Sequence, residues 1–451
     1  MALRALGIDV GLSGVKAAVV DDRGELCGSA RRALSPTLGP GRAELDPDAM
    51  MGAVLAAARE ALDTAPGVEV IAVAALGPAP ILVDGDLDAL TPALLFSLDR
   101  RAEPERAELG VTHDHAVPKL LHWQRTNPNV VGRAAWALDA TGFIVGRLTG
   151  VPVMDSITAA DYALPGTSAP VPSPVTQGPL AIAGGLGAAV ARELGLREGT
   201  PVIVGTYDSY ADIAAAGVIG PGAGCVILGS TLIVGRSVEG PVDCPGLELG
   251  GYVGEGLLLG AWTASAGAAL DWFETRFDAR GLDVTGLAPG AGGLIVLPYL
   301  AGERTPHWDP AARGLILGLT LGTERAEVYR AFIDSVALST LDHVERLRAA
   351  RLDIPRWRIG GGGTRNEAWL QATCDALATP LDVVAHAGHA IGPAVLALRS
   401  IGVESTGVIA REVLPEPRAG ERFAHLLEIY RDLYPSLTEA MHRLSTLDAG
   451  G

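Results

Sequence analysis

The alternation of apolar and polar positions divides the chain into strands and helices that recur in one order. Near the N-terminus, "ALRALGIDV", "VKAAVVDD" and "ELCGSARRAL" predict three successive strands joined by short turns. "DPDAMMGAVLAAAREALD" then shows helical spacing, with Asp46 or Asp48 as its N-cap, and "VEVIAVAALG" predicts a buried strand. Consecutive strands followed by alternating helices and strands indicate an α/β fold.

The second half of the chain repeats this order. "AGCVILGSTLIVGRSV" and "GLLLGAWT" predict strand, turn and strand, and "SAGAALDWFETRF" predicts a helix. A long helix is predicted over "ERAEVYRAFIDSVALSTLDHVERLRAA", and its apolar part "FIDSVALSTL" fits either a core or a homodimer face. The similar openings at residues 5–20 and 223–236 indicate a duplication. We therefore predict two α/β domains, residues 1–220 and 221–451, around an interdomain cleft.

Three further segments connect or complete these halves. "VGRAAWALDATGFIVGRLTG" predicts one or two helices that end at Gly150, and residues 165–179 predict a loop rich in proline and serine. "IGPAVLALRSIG" predicts a last buried helix.

The composition excludes several classes of protein. The 451 residues carry a formal charge of −17, which argues against a nucleic-acid surface but leaves a nucleotide ligand open. No apolar run reaches the ~18 residues of a membrane span. The scattered cysteines predict reduced thiols and a cytoplasmic protein without zinc: Cys27, Cys225, Cys244 and Cys374. The histidine pairs 113 with 115 and 386 with 389 predict ordinary loops.

The first turn carries candidate chemistry. Asp9 ends a buried strand, where a carboxylate needs a partner or a metal ion. Gly11 and Gly14 allow the backbone to approach a ligand, and Lys16 adds a positive charge. The pattern fits a loop that binds phosphate and Mg²⁺. An ordinary hairpin with an aspartate in its turn is the alternative.

Three later turns also place candidate ligand-binding residues at the end of a strand or the start of a helix. Asp208 starts a helix of small residues, where it serves either as a cap or as a general base. Gly229, Ser230 and Thr231 offer hydroxyls and amides beside a strand end, unless they form a plain hairpin. The glycines at 360–363 open another helix and predict contact with a base or a phosphate.

The combination of these four turns, in this order, resembles the FGGY family of carbohydrate kinases. The resemblance extends over essentially the whole chain. "GIDVGLSGVK" is similar to its first phosphate loop, and "GTYDSYADIAAAGVIGPG" to the segment with its catalytic aspartate. The most specific stretch is "PYLAGERTPHWDPAARGLILGLTLGTERAEVYRAFIDSVAL", where Phe332 replaces a smaller residue. "GGGTRNEAWLQATCDALATPL" is similar to the adenosine segment. The resemblance implies two actin/hexokinase-like (ribonuclease H-like) domains.

The resemblance also implies a mechanism. ATP would lie between the domains with Mg²⁺ held by Asp9, and Asp208 would take a proton from the attacking sugar hydroxyl. Both aspartates are therefore predicted to be catalytic. The residues implied for ATP are Gly11, Ser13, Lys16, Gly229, Ser230, Thr231, Gly267, Gly361, Gly362 and Asn366.

The sequence departs from the family in the first phosphate loop and, more extensively, around the sugar. Leu12 stands where a hydroxyl residue is usual, and Pro78-Ala79-Pro80 offers no side-chain donor. A W-x-D-x-R element appears as residues 97–101 without its tryptophan. The predicted substrate residues are Pro78, Ala79, Asp99, Tyr207 and Asp208. The predicted substrate is a small sugar or polyol, by default a ketose such as xylulose. The alternative is a weakly active or inactive nucleotide-binding regulatory member of the same fold.

Overall fold

Two β-sheets with helices packed on them organise the chain. The structure is a computed structural model that describes residues 2–96, 98–111, 115–254, 256–386 and 390–448. By its internal contacts the chain forms two units. Unit 1 comprises Met1–Ala215, Gly251–Val253 and Gly388–Val408. Unit 2 comprises Ala216–Gly250, Gly254–Ala387 and Ile409–Gly451.

The first 215 residues form the larger part of unit 1. Its strands are β1 (Arg4–Gly11), β2 (Gly14–Asp21), β3 (Leu26–Ala33), β4 (Thr37–Gly39), β5 (Arg42–Leu45), β6 (Val70–Ala75), β7 (Ile81–Val83), β8 (Ala93–Leu94), β9 (Trp136–Leu138), β10 (Val153–Asp155), β11 (Val175–Gln177), β12 (Ile182–Gly185), β13 (Pro201–Ile203) and β14 (Thr206–Tyr207). Its helices are α1 (Pro47–Thr64), α2 (Glu103–Leu109), α3 (Ala116–Thr126), α4 (Pro128–Val131), α5 (Ala140–Thr149), α6 (Thr158–Asp161), α7 (Ala188–Leu194) and α8 (Asp208–Ala215).

The main sheet of unit 1 has the order β12-β13-β6-β1-β2-β3, and β14 also pairs with β6. Strands β1, β2 and β3 are antiparallel as predicted, and β6 lies parallel to β1. Every residue of β6 is buried, which suits a strand covered on both faces. Helix α1 is capped by Asp46, whose side chain accepts the backbone N–H groups of Asp48 and Ala49.

The later residues supply unit 2 and one more helix of unit 1. The strands are β15 (Gly224–Leu228), β16 (Leu232–Val238), β17 (Glu248–Gly251), β18 (Leu257–Trp262), β19 (Ile295–Leu297), β20 (Leu315–Leu317), β21 (Trp357–Gly360), β22 (Leu381–Val384) and β23 (Ile409–Val413). The helices are α9 (Gly267–Arg276), α10 (Arg325–Ala349), α11 (Glu367–Leu377), α12 (Ile391–Ser400) and α13 (Pro417–Asp448). Short 3₁₀ turns lie at Ala291–Gly293 and Gly362–Arg365.

The sheet of unit 2 has the order β17-β18-β16-β15-β21-β22-β23. As in unit 1, an antiparallel set (β15, β16 and β18) adjoins a parallel strand, here β21. This repeated arrangement confirms the predicted α/β class and the repeated strand-turn-strand opening. The apolar segment 332–341 of α10 is buried throughout, so of its two predicted roles the structure shows the core.

The chain returns to unit 1 near its end, which a division at 220 and 221 does not anticipate. Helix α12 packs against β1, where a Cβ atom on Gly7 would lie 2.4 Å from the backbone nitrogen of Ala394. Only a glycine allows this approach, because real Cβ atoms do not come within 3.0 Å of such neighbours. Residues 388–408 therefore belong to unit 1 by their contacts.

Other local expectations needed correction. The segment predicted to be one or two helices contains strand β9 before α5, because "WAL" pairs with β7. The predicted loop at 165–179 contains β11, which pairs with β10. Ser97, His113 and His389 lie outside the described residues. None of the four cysteines forms a disulfide bond in the described part of the chain. No helix of the described ranges is long and apolar enough to cross a bilayer.

Replacing Gly7 with Ala should destabilise the protein by about 2 kcal/mol or more, because the added methyl group meets the α12 backbone, which cannot move away cheaply. The measurement is the urea midpoint. Gly52→Ala is the matched control, since Gly52 lies exposed on α1 with no atom within 4 Å of an added Cβ. That control should be neutral or stabilising by up to about 1 kcal/mol. Equal midpoints for both variants would contradict the prediction.

Candidate active site

The first predicted phosphate loop is the hairpin between β1 and β2. Gly11 lies opposite Gly14, so Leu12 and Ser13 alone form the turn, and both are exposed. Asp9 and Lys16 lie directly opposite each other, with Lys16 Nζ 3.0 Å from Asp9 Oδ2. Opposite residues of an antiparallel pair share one face of the sheet. The positive charge of Lys16 therefore compensates the negative charge of Asp9 near the end of β1.

The second predicted turn places Asp208 at the first position of α8, where its Oδ1 accepts the backbone N–H of Ser209 at 2.7 Å. Asp212 follows one helical turn later, on the same face. Burial, and then the charges of Asp9 and Asp208, raise the pKa of Asp212 to about 8. Burial lowers the pKa of Lys16, but the carboxylates of Asp9, Asp212 and Asp208 together raise it above its ordinary value.

These four side chains of unit 1 thus form one electrostatic cluster. The sequence prediction included Asp9, Lys16 and Asp208, which the structure brings together, and it missed Asp212. The missed signal was the spacing of four residues from Asp208, which puts two carboxyl groups on one side of a short helix.

The segment after β6 was predicted to contact the substrate. Pro78, Ala79 and Pro80 are all buried. The ring of Tyr207 packs against Gly77, where an added Cβ would lie 1.9 Å from a ring carbon. The Tyr207 hydroxyl donates to Asp161 Oδ2 at 2.8 Å. Close packing, and not free polar groups, characterises these predicted substrate positions.

A buried carboxyl group, Asp139, holds this segment in place. Its Oδ1 accepts the backbone N–H of Ala79 at 2.7 Å and the hydroxyl of Tyr162 at 2.9 Å. Its Oδ2 is buried without a hydrogen-bond partner among the described residues. Burial raises the pKa of Asp139 to about 7, although both hydrogen bonds oppose the rise. No local pattern in the sequence indicates this role of Asp139.

Asp99, the remaining predicted substrate residue, has a fully buried side chain. It accepts hydrogen bonds from Arg101 Nη2 at 2.6 Å and from the backbone N–H of Ala43 at 2.9 Å. Burial raises the pKa of this carboxyl, but the bonds from Arg101 and Ala43 lower it below its ordinary value. In the structure Asp99 ties its loop to β5.

The third predicted turn, Gly229–Thr231, joins β15 to β16 in unit 2. The start of α9 is bonded to it: the backbone N–H of Gly267 donates to Gly229 O at 3.0 Å, and that of Ala266 to Ser230 O at 2.9 Å. A Cβ on Gly267 would lie 2.5 Å from Gly229 O. The structure therefore brings all four predicted residues together.

The glycine turn after β21 also lies against the end of β15. Gly361 has φ +90°, and a Cβ there would lie 2.4 Å from Leu228 O. This position requires glycine both for its backbone angle and for its packing. The turn therefore adjoins Gly229, and Gly362 continues it into a cavity.

A cavity of about 480 Å³ opens beside this turn, lined in part by Gly362, Asn366 and Tyr329. Asn366 caps α11 through a bond from Trp369 N (3.1 Å), and its Nδ2 donates to the Tyr329 hydroxyl (3.2 Å). That hydroxyl donates in turn to Glu274. Pockets for small ligands typically measure ~300–1,000 Å³, so the volume suits a nucleoside. We call it the adenosine cavity, after the role predicted for Gly362 and Asn366; Tyr329 and Glu274 were not predicted.

Comparisons with known proteins agree with this arrangement. The model of the FGGY N-terminal domain matches residues 4–163, and that of the FGGY C-terminal domain matches residues 218–401. Fold and sequence together define a carbohydrate kinase. The chain belongs to the FGGY family of carbohydrate kinases.

Xylulose kinases match this chain over nearly its full length, and a glycerol kinase matches about a third of it. A xylulose kinase of Bacillus subtilis is 26% identical over 95% of this chain and 96% of its own length. The solved xylulose kinase of Rhodospirillum rubrum is 25% identical, covers 97% of this chain and 100% of its own, and has a TM-score of 0.82. A glycerol kinase of Citrifermentans bemidjiense is 34% identical, over 33% of this chain and 31% of its own length. The chain is an enzyme that uses ATP to phosphorylate a sugar.

Asp139→Asn should flatten the pH dependence of stability. The folded-state pKa of about 7 exceeds the ordinary 3.8, so the stabilisation is complete below about pH 4 and is lost as pH rises through about 7. Asparagine keeps an acceptor for Ala79 N–H and never ionises. The variant should gain on the wild type by up to roughly 1.4 kcal/mol per pH unit in this window.

The measurement is the urea midpoint of both proteins at about pH 4, 5, 6, 7 and 8. Asp63→Asn, at an exposed position of α1, is the control and should follow the wild type. Parallel curves for Asp139→Asn and the wild type would show that the buried carboxyl does not titrate in this range.

Proposed function

We propose that this carbohydrate kinase transfers the γ-phosphoryl group of ATP to a hydroxyl of a ketose such as xylulose, with Asp208 as general base. The observation that most directly supports this proposal is the cluster in unit 1, where Asp208 starts α8 near Asp9 and Lys16. The names of the relatives that match along their whole length support a ketose acceptor.

The anchored carboxylate of Asp208 suits proton removal. One oxygen is fixed by the Ser209 N–H, which sets the direction of the group. The carboxylate can then accept the proton of a substrate hydroxyl at hydrogen-bond distance as that hydroxyl attacks phosphorus. Because phosphoryl transfer needs mainly positioning and charge stabilisation, a fixed acceptor is sufficient for this role.

Mg²⁺ fits the residues present. Among the described residues, no group of three or more His, Cys, Asp or Glu side chains could hold a metal ion by itself. Mg²⁺ usually takes only one or two carboxylates and otherwise binds phosphate oxygens and water. Asp9 would hold it, with Lys16 beside it. The ion would neutralise charge on the phosphate oxygens.

Each unit carries residues predicted for the nucleotide. The phosphate-binding candidates are Gly11, Ser13 and Lys16 in unit 1, and the turn Gly229–Thr231 with Gly267 in unit 2. Gly361, Gly362 and Asn366 would border the adenosine. Backbone N–H groups and hydroxyls at such turns bind anions without net positive charge, which agrees with the acidic chain.

The acceptor side supports a small substrate with few side-chain contacts. Pro78 and Ala79 offer no side-chain donor, and the Tyr207 hydroxyl is bonded to Asp161. These features, together with the exposed Leu12 in the phosphate turn, also favour the second candidate, a regulatory member that binds nucleotide with little turnover. ADP release with Mg–ATP over a panel of ketoses, aldoses, polyols and sugar acids separates the two.

Two further expectations stay predictions, a cytoplasmic location and a homodimer. With the segment 332–341 buried in unit 2, a homodimer would need another surface. Leu317, Leu319 and Leu321 are exposed on and after β20 and are the first positions to alter in a test of oligomeric state.

Asp208→Asn should lower kcat for the stimulating acceptor by roughly 10²–10⁴-fold, because asparagine cannot accept the proton. Nucleotide affinity should change little. Ser209→Ala is the control, since it leaves the backbone N–H that anchors Asp208. Full activity of Asp208→Asn would exclude the general base proposed here. If no acceptor stimulates the wild type while nucleotide binds, the regulatory candidate stands.

Asn366→Asp should weaken binding of ADP by roughly tenfold. Aspartate preserves the helix cap. It removes the donor to Tyr329 and adds a negative charge beside Glu274 at the adenosine cavity. Calorimetric titration with ADP measures the effect. Asn129→Asp makes the same change at an exposed position of unit 1 and should bind like the wild type. Unchanged binding in Asn366→Asp would place the adenosine elsewhere.

A further inference from the structure

A second cavity of about 660 Å³ adjoins the adenosine cavity within unit 2. Its walls come from the loop at 285–289, from α10 and α11, and from the first turns of α13. Thr285, Glu367 and Ala368 line both cavities. The proposed phosphoryl transfer does not use this second space. We call it the arginine cavity, because Arg330, Arg418 and Arg422 line it.

The buried arginine of this cavity has donors to spare. Arg330 is only 6% exposed, and its Nε donates to Asp334 Oδ1 at 2.7 Å. The other oxygen of Asp334 accepts the backbone N–H of Gly290 at 2.8 Å. The two terminal nitrogens of Arg330 have no hydrogen-bond partner within the described ranges. These nitrogens are not among the fully buried unpaired atoms of the described residues, so a ligand in the cavity can reach them.

The other two arginines come from the start of α13. Arg418 and Arg422 are four residues apart and therefore lie on the same side of the helix. Arg422 Nε donates to Pro289 O at 2.9 Å, which fixes the direction of its guanidinium group. The N-terminus of this long helix adds a partial positive charge at the same place.

The acidic residues of the lining are mostly occupied. Asp375 Oδ1 accepts the backbone N–H of Glu416 and the Gln371 side chain, both at 2.8 Å. Glu367 is bound by Arg411 Nη2 at 2.6 and 2.7 Å. Glu416 itself is exposed. The lining therefore balances three guanidinium groups with three carboxyl groups, and the charged donors it offers to a ligand are the guanidinium groups.

We propose that the arginine cavity binds a phosphate monoester and couples its binding to that of the nucleotide. Guanidinium forks match phosphate oxygens, and the volume suits a small phosphorylated metabolite. Binding in the two cavities is coupled because residues adjacent in the chain line them. Tyr329 lines the adenosine cavity and Arg330 the arginine cavity; Asn366 lines the adenosine cavity, and the next residue, Glu367, lines both. An occupant of one cavity changes a wall that the other shares.

The test uses the full chain with saturating Mg²⁺ and a non-hydrolysable ATP analogue, so that the phosphate loops are filled. Calorimetry then measures binding of inorganic phosphate, a pentose phosphate and glycerol phosphate, with chloride at equal ionic strength as reference. At least one ester should bind with a Kd below ~1 mM. These arms distinguish free phosphate from a phosphorylated sugar or polyol, and the readout does not depend on kinase turnover.

The variant Arg418→Gln with Arg422→Gln should weaken ester binding at least tenfold. Its matched control, Arg133→Gln with Arg443→Gln, removes two exposed charges elsewhere and should bind like the wild type. Arg330→Lys keeps the charge but loses the fork, and should also weaken binding. Thermal melting confirms that each variant folds.

Three results would overturn the proposal. The first is the absence of saturable ester binding up to ~10 mM in the wild type. The second is an equal loss of affinity in the control variant, which would indicate general screening. The third is a Kd for the ATP analogue that does not change when the ester is present, which would remove the coupling.

Discussion

The compensation of carboxylates at the ends of buried strands is the constraint on which the first half of the site depends. An isolated charge at such a position is costly, so Asp9 is paired with Lys16 from the neighbouring strand. Lys16 also acts electrostatically on Asp212, whose pKa of about 8 leaves it mostly protonated at neutral pH. The cluster therefore accumulates less negative charge than its three aspartates suggest. That is a favourable setting for an anionic phosphate chain.

In unit 2 the candidate site depends on the close approach of backbone segments, as it depends on charge compensation in unit 1. Gly361 and Gly267 each approach a carbonyl oxygen of the residues 228–229, one from the turn after β21 and the other from the start of α9. Neither position has room for a side chain. The turn after β15, the turn after β21 and the start of α9 can therefore lie together at one end of β15. The adenosine cavity opens beside this point through Gly362. Glycines are thus structural here before they contact any ligand.

The sequence revealed local chemistry better than distant contacts. The β1–β2 hairpin, the cap at Asp46 and the turns at 229–231 and 360–363 depend on residues close in sequence, and the structure confirms these elements. The return of α12 to unit 1 depends on Gly7 meeting Ala394, which no local pattern shows. Asp139 and Tyr329 gain significance only from partners far along the chain, Ala79 and Glu274. The sequence analysis assigned no element to the region of β23 and α13.

At the predicted substrate positions, close packing takes the place of polar side chains. Gly77 is covered by the ring of Tyr207, and Ala79 is held by Asp139 through its backbone. Two prolines flank Ala79, so this segment has few ways to adjust to a ligand. In the proposed function, polar recognition of the sugar falls to Asp208, to backbone groups or to other segments. A site that recognises only the shape of its substrate distinguishes similar substrates by small differences in free energy. A site with buried hydrogen-bond donors rejects an analogue strongly, because the analogue leaves those donors unpaired. If segment 77–80 borders the acceptor as proposed, we expect the enzyme to tolerate small acceptors of similar shape and not to select one sugar strictly.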